Sequence, residues 1–302
     1  MGARIESAAS WRAHRGLFAR GALALTEIAA RRCLDRGHRR PEDIDLLVNA
    51  GVYKDRSLAE PALAAIIQED LGANPGHPAR PHSHGTFSFD VLDGGCGALT
   101  ALELADSLIR AGTSRLALIV AGDADPSPRT SHGFPFASAG GAVLVEPGEG
   151  GQGFERFAQR TFAEHAGLFE ACVEWEAANP KARRGGNVLV VREDPAFADR
   201  AIACAVETTG AFLADLGLRG ADVDLLVASQ YPPRLADEVA RAMAIPRERV
   251  APGPGELGPA HTAGPIASLE AAIDSGAFAL ARNVLFVTAG AGITITVALY
   301  RR

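Results

Sequence analysis

Two kinds of hydrophobic pattern alternate along this chain. Short apolar runs bounded by turn residues stand at 44–50, 116–121, 224–228 and 284–287. Runs of that length predict buried strands. Between them the apolar residues recur at helical spacing, over 17–36, 60–71, from just after Cys96 to 111, and over 196–216, 234–244 and 262–281. Gly37 and Gly72 stand where helix C-caps are expected. Further strands are predicted at 4–10, 86–92, 142–145, 187–191 and 293–300, and a poorly capped helix at 158–178. Turn residues mark loops at 53–57, 74–85, 148–153, 181–186 and 252–259.

The pattern repeats. Asp43-Ile44-Asp45-Leu46-Leu47-Val48 matches Asp222-Val223-Asp224-Leu225-Leu226-Val227 at an offset of 179 residues, and Ala101-Leu102-Glu103 matches Ser268-Leu269-Glu270 at an offset of 167. Both copies run on into an apolar strand that ends in Ala-Gly, at Ala121-Gly122 and Ala289-Gly290. Strands and helices alternating in two copies predict an α/β fold of two duplicated halves, each with a parallel sheet. The halves are assigned to residues 1–160 and 161–302.

One stretch carries the chemistry. In Asp90-Val91-Leu92-Asp93-Gly94-Gly95-Cys96-Gly97 a strand pattern meets a helix start. A thiol at a helix N-terminus is expected to have a lowered pKa, and flanking glycines admit a substrate carbonyl. This predicts Cys96 as a nucleophile; the ordinary alternative is a small buried cysteine. The offset of 167 carries His261 back to position 94, two residues before Cys96. A pseudo-twofold between the halves would bring the two helix mouths face to face and pair this thiol with this imidazole. His77, His82 and His84 lack the fixed spacing of a metal site, so no metal is expected.

Composition removes other classes. The chain has 302 residues, 47% of them hydrophobic, and a net charge of -6, which fits a globular protein without a basic surface for nucleic acid. No apolar run reaches transmembrane length. Four scattered cysteines without a CxxC pair point to a reducing compartment, and a cytoplasmic location is expected.

With these residues in view the chain resembles the thiolase superfamily, and within it the β-ketoacyl-ACP synthase III branch. The likeness rests on Phe89-Asp90-Val91 through Cys96-Gly97 and the helix to Gly112, on the closing Thr288-Ala289-Gly290-Ala291-Gly292-Ile293-Thr294, and on Pro41-Glu42-Asp43-Ile44-Asp45. The resemblance implies a thiolase fold with αβαβα layers. It implies that Cys96 takes an acyl group from coenzyme A or an acyl carrier protein, with the backbone N–H groups of Cys96 and Ala291 as oxyanion hole. It places Arg234 near the phosphopantetheine path and implies a homodimer, with the edge strand near 87–92 as interface. No cofactor is implied beyond the coenzyme A or phosphopantetheine that enters with the substrate.

Two departures matter. Ser229-Gln230-Tyr231-Pro232 stands where the branch has His-Gln-Ala-Asn, and Gly258-Pro259-Ala260-His261-Thr262 stands where it has Gly-Asn. His261 thus looks like the histidine of other ketosynthases that meets the catalytic cysteine. The tryptophan and arginine segment that grips coenzyme A is not evident in 7–20. Decarboxylative condensation wants two donors on the malonyl carbonyl, His261 and one of Ser229 or Gln230; acyl transfer to a hydroxyl or amine needs only a base. Phe134 and Phe136 are expected to line the acyl tunnel or the dimer face. Glu60 is expected to head a helix, with a general base as the alternative. The competing functional reading is a catalytically weak partner subunit that shapes the pocket of an active chain.

Overall fold

The computed structural model describes residues 2–12, 21–55, 60–74, 85–126, 131–177, 185–253, 255 and 258–302. The loop histidines His77, His82 and His84 lie outside the described residues, as do 13–20 and most of the basic turn near 181–186.

The chain opens with strand β1 (Ala3–Arg12) and helix α1 (Ala22–Arg36). Then come β2 (Leu46–Asn49), α2 (Leu63–Leu71) and β3 (Phe87–Asp90). Helix α3 (Gly97–Arg110) follows a single turn over Gly94–Cys96, and β4 (Ala117–Asp123) and β5 (Ala139–Pro147) complete the first sheet. Its order is β1-β5-β4-β2-β3. The second half runs through β6 (Gly153–Thr161), β7 (Phe169–Glu176), β8 (Gly186–Glu193), α4 (Phe197–Asp215), β9 (Leu225–Ala228), α5 (Leu235–Ala242), α6 (Gly264–Asp274), α7 (Ala277–Leu280), β10 (Asn283–Gly290) and β11 (Thr294–Arg301). The second sheet has the order β6-β11-β10-β9.

The duplication is visible in register. β2 pairs parallel with β4, and β9 pairs parallel with β10. Where β3 flanks β2 in the first half, the second half keeps only a bridge between Leu226 and Val250. The same carboxylate device starts both inner strands. Asp45 accepts the N–H groups of Arg115 and Leu116, at 2.8 and 3.1 Å, and Asp224 accepts those of Arg282 and Asn283, at 3.0 and 2.9 Å. The antiparallel strands β5 and β11 make both sheets mixed.

Layering follows from which faces are apolar. One core joins Leu99, Leu102 and Ile109 of α3 and Ile266 and Leu269 of α6 to Ile119 of β4 and Phe286 of β10, so α3 and α6 lie between the sheets. Leu34 of α1 and Ile67 of α2 cover the outer face of the first sheet. Phe212 of α4 and Val239 of α5 cover the outer face of the second. This is the αβαβα arrangement expected of a thiolase fold. No described helix is long and apolar enough to cross a membrane.

Three expectations need correction. The stretch 158–178 is not a helix: β6 continues to Thr161 along β11, and β7 forms a hairpin with β8. The Ala and Glu content favours helix locally, but β11 offers an open edge, and pairing overrides propensity. The seam lies in the bend between β5 and β6, so residues 153–160 belong to the second half. Glu60 precedes α2 by a cis Glu60–Pro61 bond and does not head it. Asp90 instead caps that helix, accepting the N–H groups of Leu63 and Ala64 at 3.0 and 2.8 Å, and it pairs with Lys54 at 2.5 Å.

Candidate active site

The two helix mouths do converge. Gly94 and Gly95, before α3, and His261, before α6, line one cavity of about 230 Å³ together with Ser229, Phe136 and Ala291. The repeat sets the correspondence at these mouths. Gly264 opens α6 167 positions beyond Gly97, which opens α3. His261 therefore matches Gly94, and Cys96 matches Ala263.

That match explains where the sulfur goes. Ala263 is 1% exposed and Cys96 is 0% exposed. Cys96 Sγ lies 3.3 Å from the carbonyl oxygen of Thr294 and 3.6 Å from that of Thr288, in the seam between β10 and β11. It is not among the described residues that line the cavity, but Gly290 is, and a Cβ on Gly290 would lie 3.4 Å from the sulfur. Burial pushes the Cys96 thiol up to about 12, against the lowering expected of a helix N-terminus.

The backbone of Cys96 lies in the single turn over Gly94–Cys96. Its N–H donates to Asp93 O at 3.0 Å within the turn that leads into α3. Ala291 does stand in the cavity wall. The cavity floor at Gly95 tolerates no side chain, because a Cβ would meet Ala289 O at 2.2 Å.

His261 is held by a group that the sequence reading passed over. Asp123, at the end of β4, is 1% exposed. It accepts the N–H groups of Val52 at 2.9 Å, Tyr53 at 2.7 Å and Thr262 at 3.0 Å, and the Thr262 hydroxyl. Its Oδ2 lies 3.4 Å from His261 Nδ1, an electrostatic contact without the alignment of a hydrogen bond. Burial works to raise the Asp123 pKa, but His261, Thr262 and the Tyr53 N–H outweigh it, and the carboxyl is held below its usual range. With Nδ1 buried against Asp123, Nε2 is the nitrogen left for a substrate. The ring is fixed between Phe136 and Tyr53, with centroids at 4.3 and 5.1 Å. A signal existed in the sequence: a lone carboxylate directly after Ala121-Gly122, at the end of a buried strand.

The remaining candidates divide. The Ser229 hydroxyl accepts the Ala289 N–H at 3.2 Å and borders both the His261 cavity and a second one of about 190 Å³. Gln230 is pinned by three hydrogen bonds. Its Oε1 accepts from Arg12 at 2.5 Å and from Ala260 N–H at 3.1 Å, and its Nε2 donates to Ser268 at 3.2 Å. Arg234 is exposed at the start of α5, ion-paired to Asp199 at 3.0 Å, and borders the second cavity. Phe136 lines the His261 cavity, while Phe134 packs edge-on behind it against Tyr53. Glu60 opens on a separate cavity of about 730 Å³.

Comparison with known proteins places this geometry. Residues 89–162 match the model of 3-oxoacyl-[acyl-carrier-protein] synthase III, and residues 213–302 match the model of that family's C-terminal part. A β-ketoacyl-[acyl-carrier-protein] synthase III of Hyphomonas neptunium is 31% identical over 74% of this chain and 66% of its own. One from Gloeobacter violaceus is 28% identical over 98% of this chain and 91% of its own. The crystal structure of 3-oxoacyl-[acyl-carrier-protein] synthase III from Aquifex aeolicus superposes with a TM-score of 0.81 at 18% identity, over the full length of both chains. The fold is thus that of the thiolase-type condensing enzymes. The chain belongs to the 3-oxoacyl-[acyl-carrier-protein] synthase III family of acyltransferases. The relatives bear the names of the enzymes themselves, which lends nothing to the partner-subunit alternative.

Proposed function

We propose that this chain transfers an acyl group from a coenzyme A or carrier-protein thioester directly to a hydroxyl or amine, with His261 as the base and no acyl intermediate on Cys96. The observation that carries this reading is the cavity wall itself. It presents an imidazole backed by a buried carboxylate, while the nearby Cys96 thiol is fully buried and is not among the lining residues. In the step, His261 Nε2 takes the proton of the acceptor. The new C–O or C–N bond forms, the C–S bond breaks, and the proton passes to the departing thiolate. Asp123 steadies the imidazolium formed on the way. Arg234 and the second cavity at Ser229 suit the passage of the pantetheine arm.

The names of the relatives favour a second reading, in which the acceptor is the carbon of a malonyl thioester and His261 and Ser229 hold its enolate. One assay separates the two. Wild type and Cys96→Ala are incubated with a panel of acyl-CoAs and acyl carrier proteins, with hydroxylamine or an alcohol as acceptor, and thiol release and intact mass are both read. Thiol release by both proteins, with no acyl mass on either, is the expected outcome. An adduct on wild type that Cys96→Ala lacks overturns the direct route. Carbon dioxide released from malonyl carrier protein selects the carbon acceptor.

Pairing through β3 belongs to the same proposal. β3 is an edge strand, and Phe87 and Leu92 beside it are 65% and 63% exposed. An open apolar edge is covered in a stable protein, and a second copy of this chain is the occupant that the family supports. A sedimentation mass of a single chain at micromolar concentration would remove this part.

A further inference from the structure

The His261 cavity is walled by rings, and one of them also borders a larger space. We propose that Tyr53 limits this site to a single-ring aromatic acyl group, so that the substrate class is an aromatic acyl thioester. The proposal rests on the reading that acyl thioesters enter the His261 cavity.

Tyr53, Phe136, Phe169, Phe197 and Tyr231 form one continuous cluster. Tyr53 and Phe136 have centroids 5.5 Å apart, Phe136 and Tyr231 4.9 Å, Phe136 and Phe169 6.4 Å, and Phe169 and Phe197 5.1 Å. All but Tyr231 are less than 10% exposed, so packing holds them and the shape is preformed. Among the described residues no Leu, Ile or Met lines the cavity, and such flexible aliphatic walls are what would adapt to chains of varied length. A void of about 150 Å³ accepts benzene. The cavity of about 230 Å³ therefore has room for one ring and its thioester carbonyl. Ring-on-ring contacts of edge-to-face or offset type add attraction beyond the area buried, which an alkyl chain does not gain.

The neighbouring cavity of about 730 Å³ would be the route for a longer chain. Val52, Tyr53 and Ala171 border both spaces. Of these only Tyr53 is bulky, and it is wedged by Phe134 at 5.1 Å, edge-on, and by His261 at 5.1 Å. A long acyl chain at His261 would have to displace this ring.

Binding can be measured without turnover, using coenzyme A ketones in which a methylene separates the acyl carbonyl from sulfur. Phenacyl-CoA stands for the aromatic acyl group, and 2-oxotridecyl-CoA for a long chain. By calorimetric titration, wild type is expected to bind the phenacyl compound at least about tenfold more tightly. Tyr53→Ala is expected to reverse that order. Equal or tighter binding of the long-chain ketone by wild type overturns the proposal, whether or not the variant folds. Aromatic preference without any thiol release from benzoyl-CoA would fault the transfer reading alone. Thiol release with no aromatic preference would fault this proposal alone. If neither ketone binds, both fall.

Discussion

His261→Ala lowers thiol release by about 10²–10⁴-fold at saturating donor, the range that a positioned general base contributes. The loss falls on kcat more than on KM, because the imidazole acts on the proton in flight and supplies little of the binding area. Cys96→Ala in the same assay stays within about threefold of wild type, since its sulfur is fully buried and is not among the residues that line the cavity. The contrast between the two variants is the informative quantity. A collapse in both would mean that the sulfur turns into the cavity during turnover. A collapse in Cys96→Ala alone would restore it as nucleophile.

Asp123→Ala unfolds the chain at a lower temperature than any substitution on the cavity rim. Removing the carboxylate strands the backbone N–H groups of Val52, Tyr53 and Thr262 in a site that is 1% exposed. Each buried donor without a partner costs about 1–3 kcal/mol, so a loss of at least about 3 kcal/mol is expected. For a chain of this size that is roughly 5–10 °C in melting temperature. Asp123→Asn keeps an acceptor oxygen for these donors but removes the charge that faces His261 Nδ1. Its melting temperature is therefore expected to fall less, while kcat drops by about tenfold or more and KM holds. Calorimetry and steady-state kinetics on the two variants check this split. If Asp123→Asn keeps full kcat, Asp123 is a structural clamp only and the imidazole acts alone.

The consequences of the repeat reach from β-strand register to the cavity. Asp45 and Asp224 sit at the start of equivalent strands because the same short motif folds the same way twice. Gly97 and Gly264 open equivalent helices, which is why the mouths of α3 and α6 meet across the pseudo-twofold. In the repeat His261 corresponds to Gly94, which lines the cavity, and Cys96 to the equally buried Ala263 two positions on. Asp123 escaped notice in the sequence. Its value lies in partners from two other segments, Val52-Tyr53 and His261-Thr262, which only come together in space.

By itself the sequence determined most of the order of strands and helices, the duplication and the family, since each is carried by local pattern or by a motif. Tertiary structure alone decided that Cys96 is fully buried at the first helix mouth, which edge captures residues 153–161 as a strand, and which carboxylate holds the histidine. Those outcomes depend on direction and on long-range contact. A backbone turn of two residues, or a neighbour more than a hundred positions away, leaves no trace in hydrophobic periodicity.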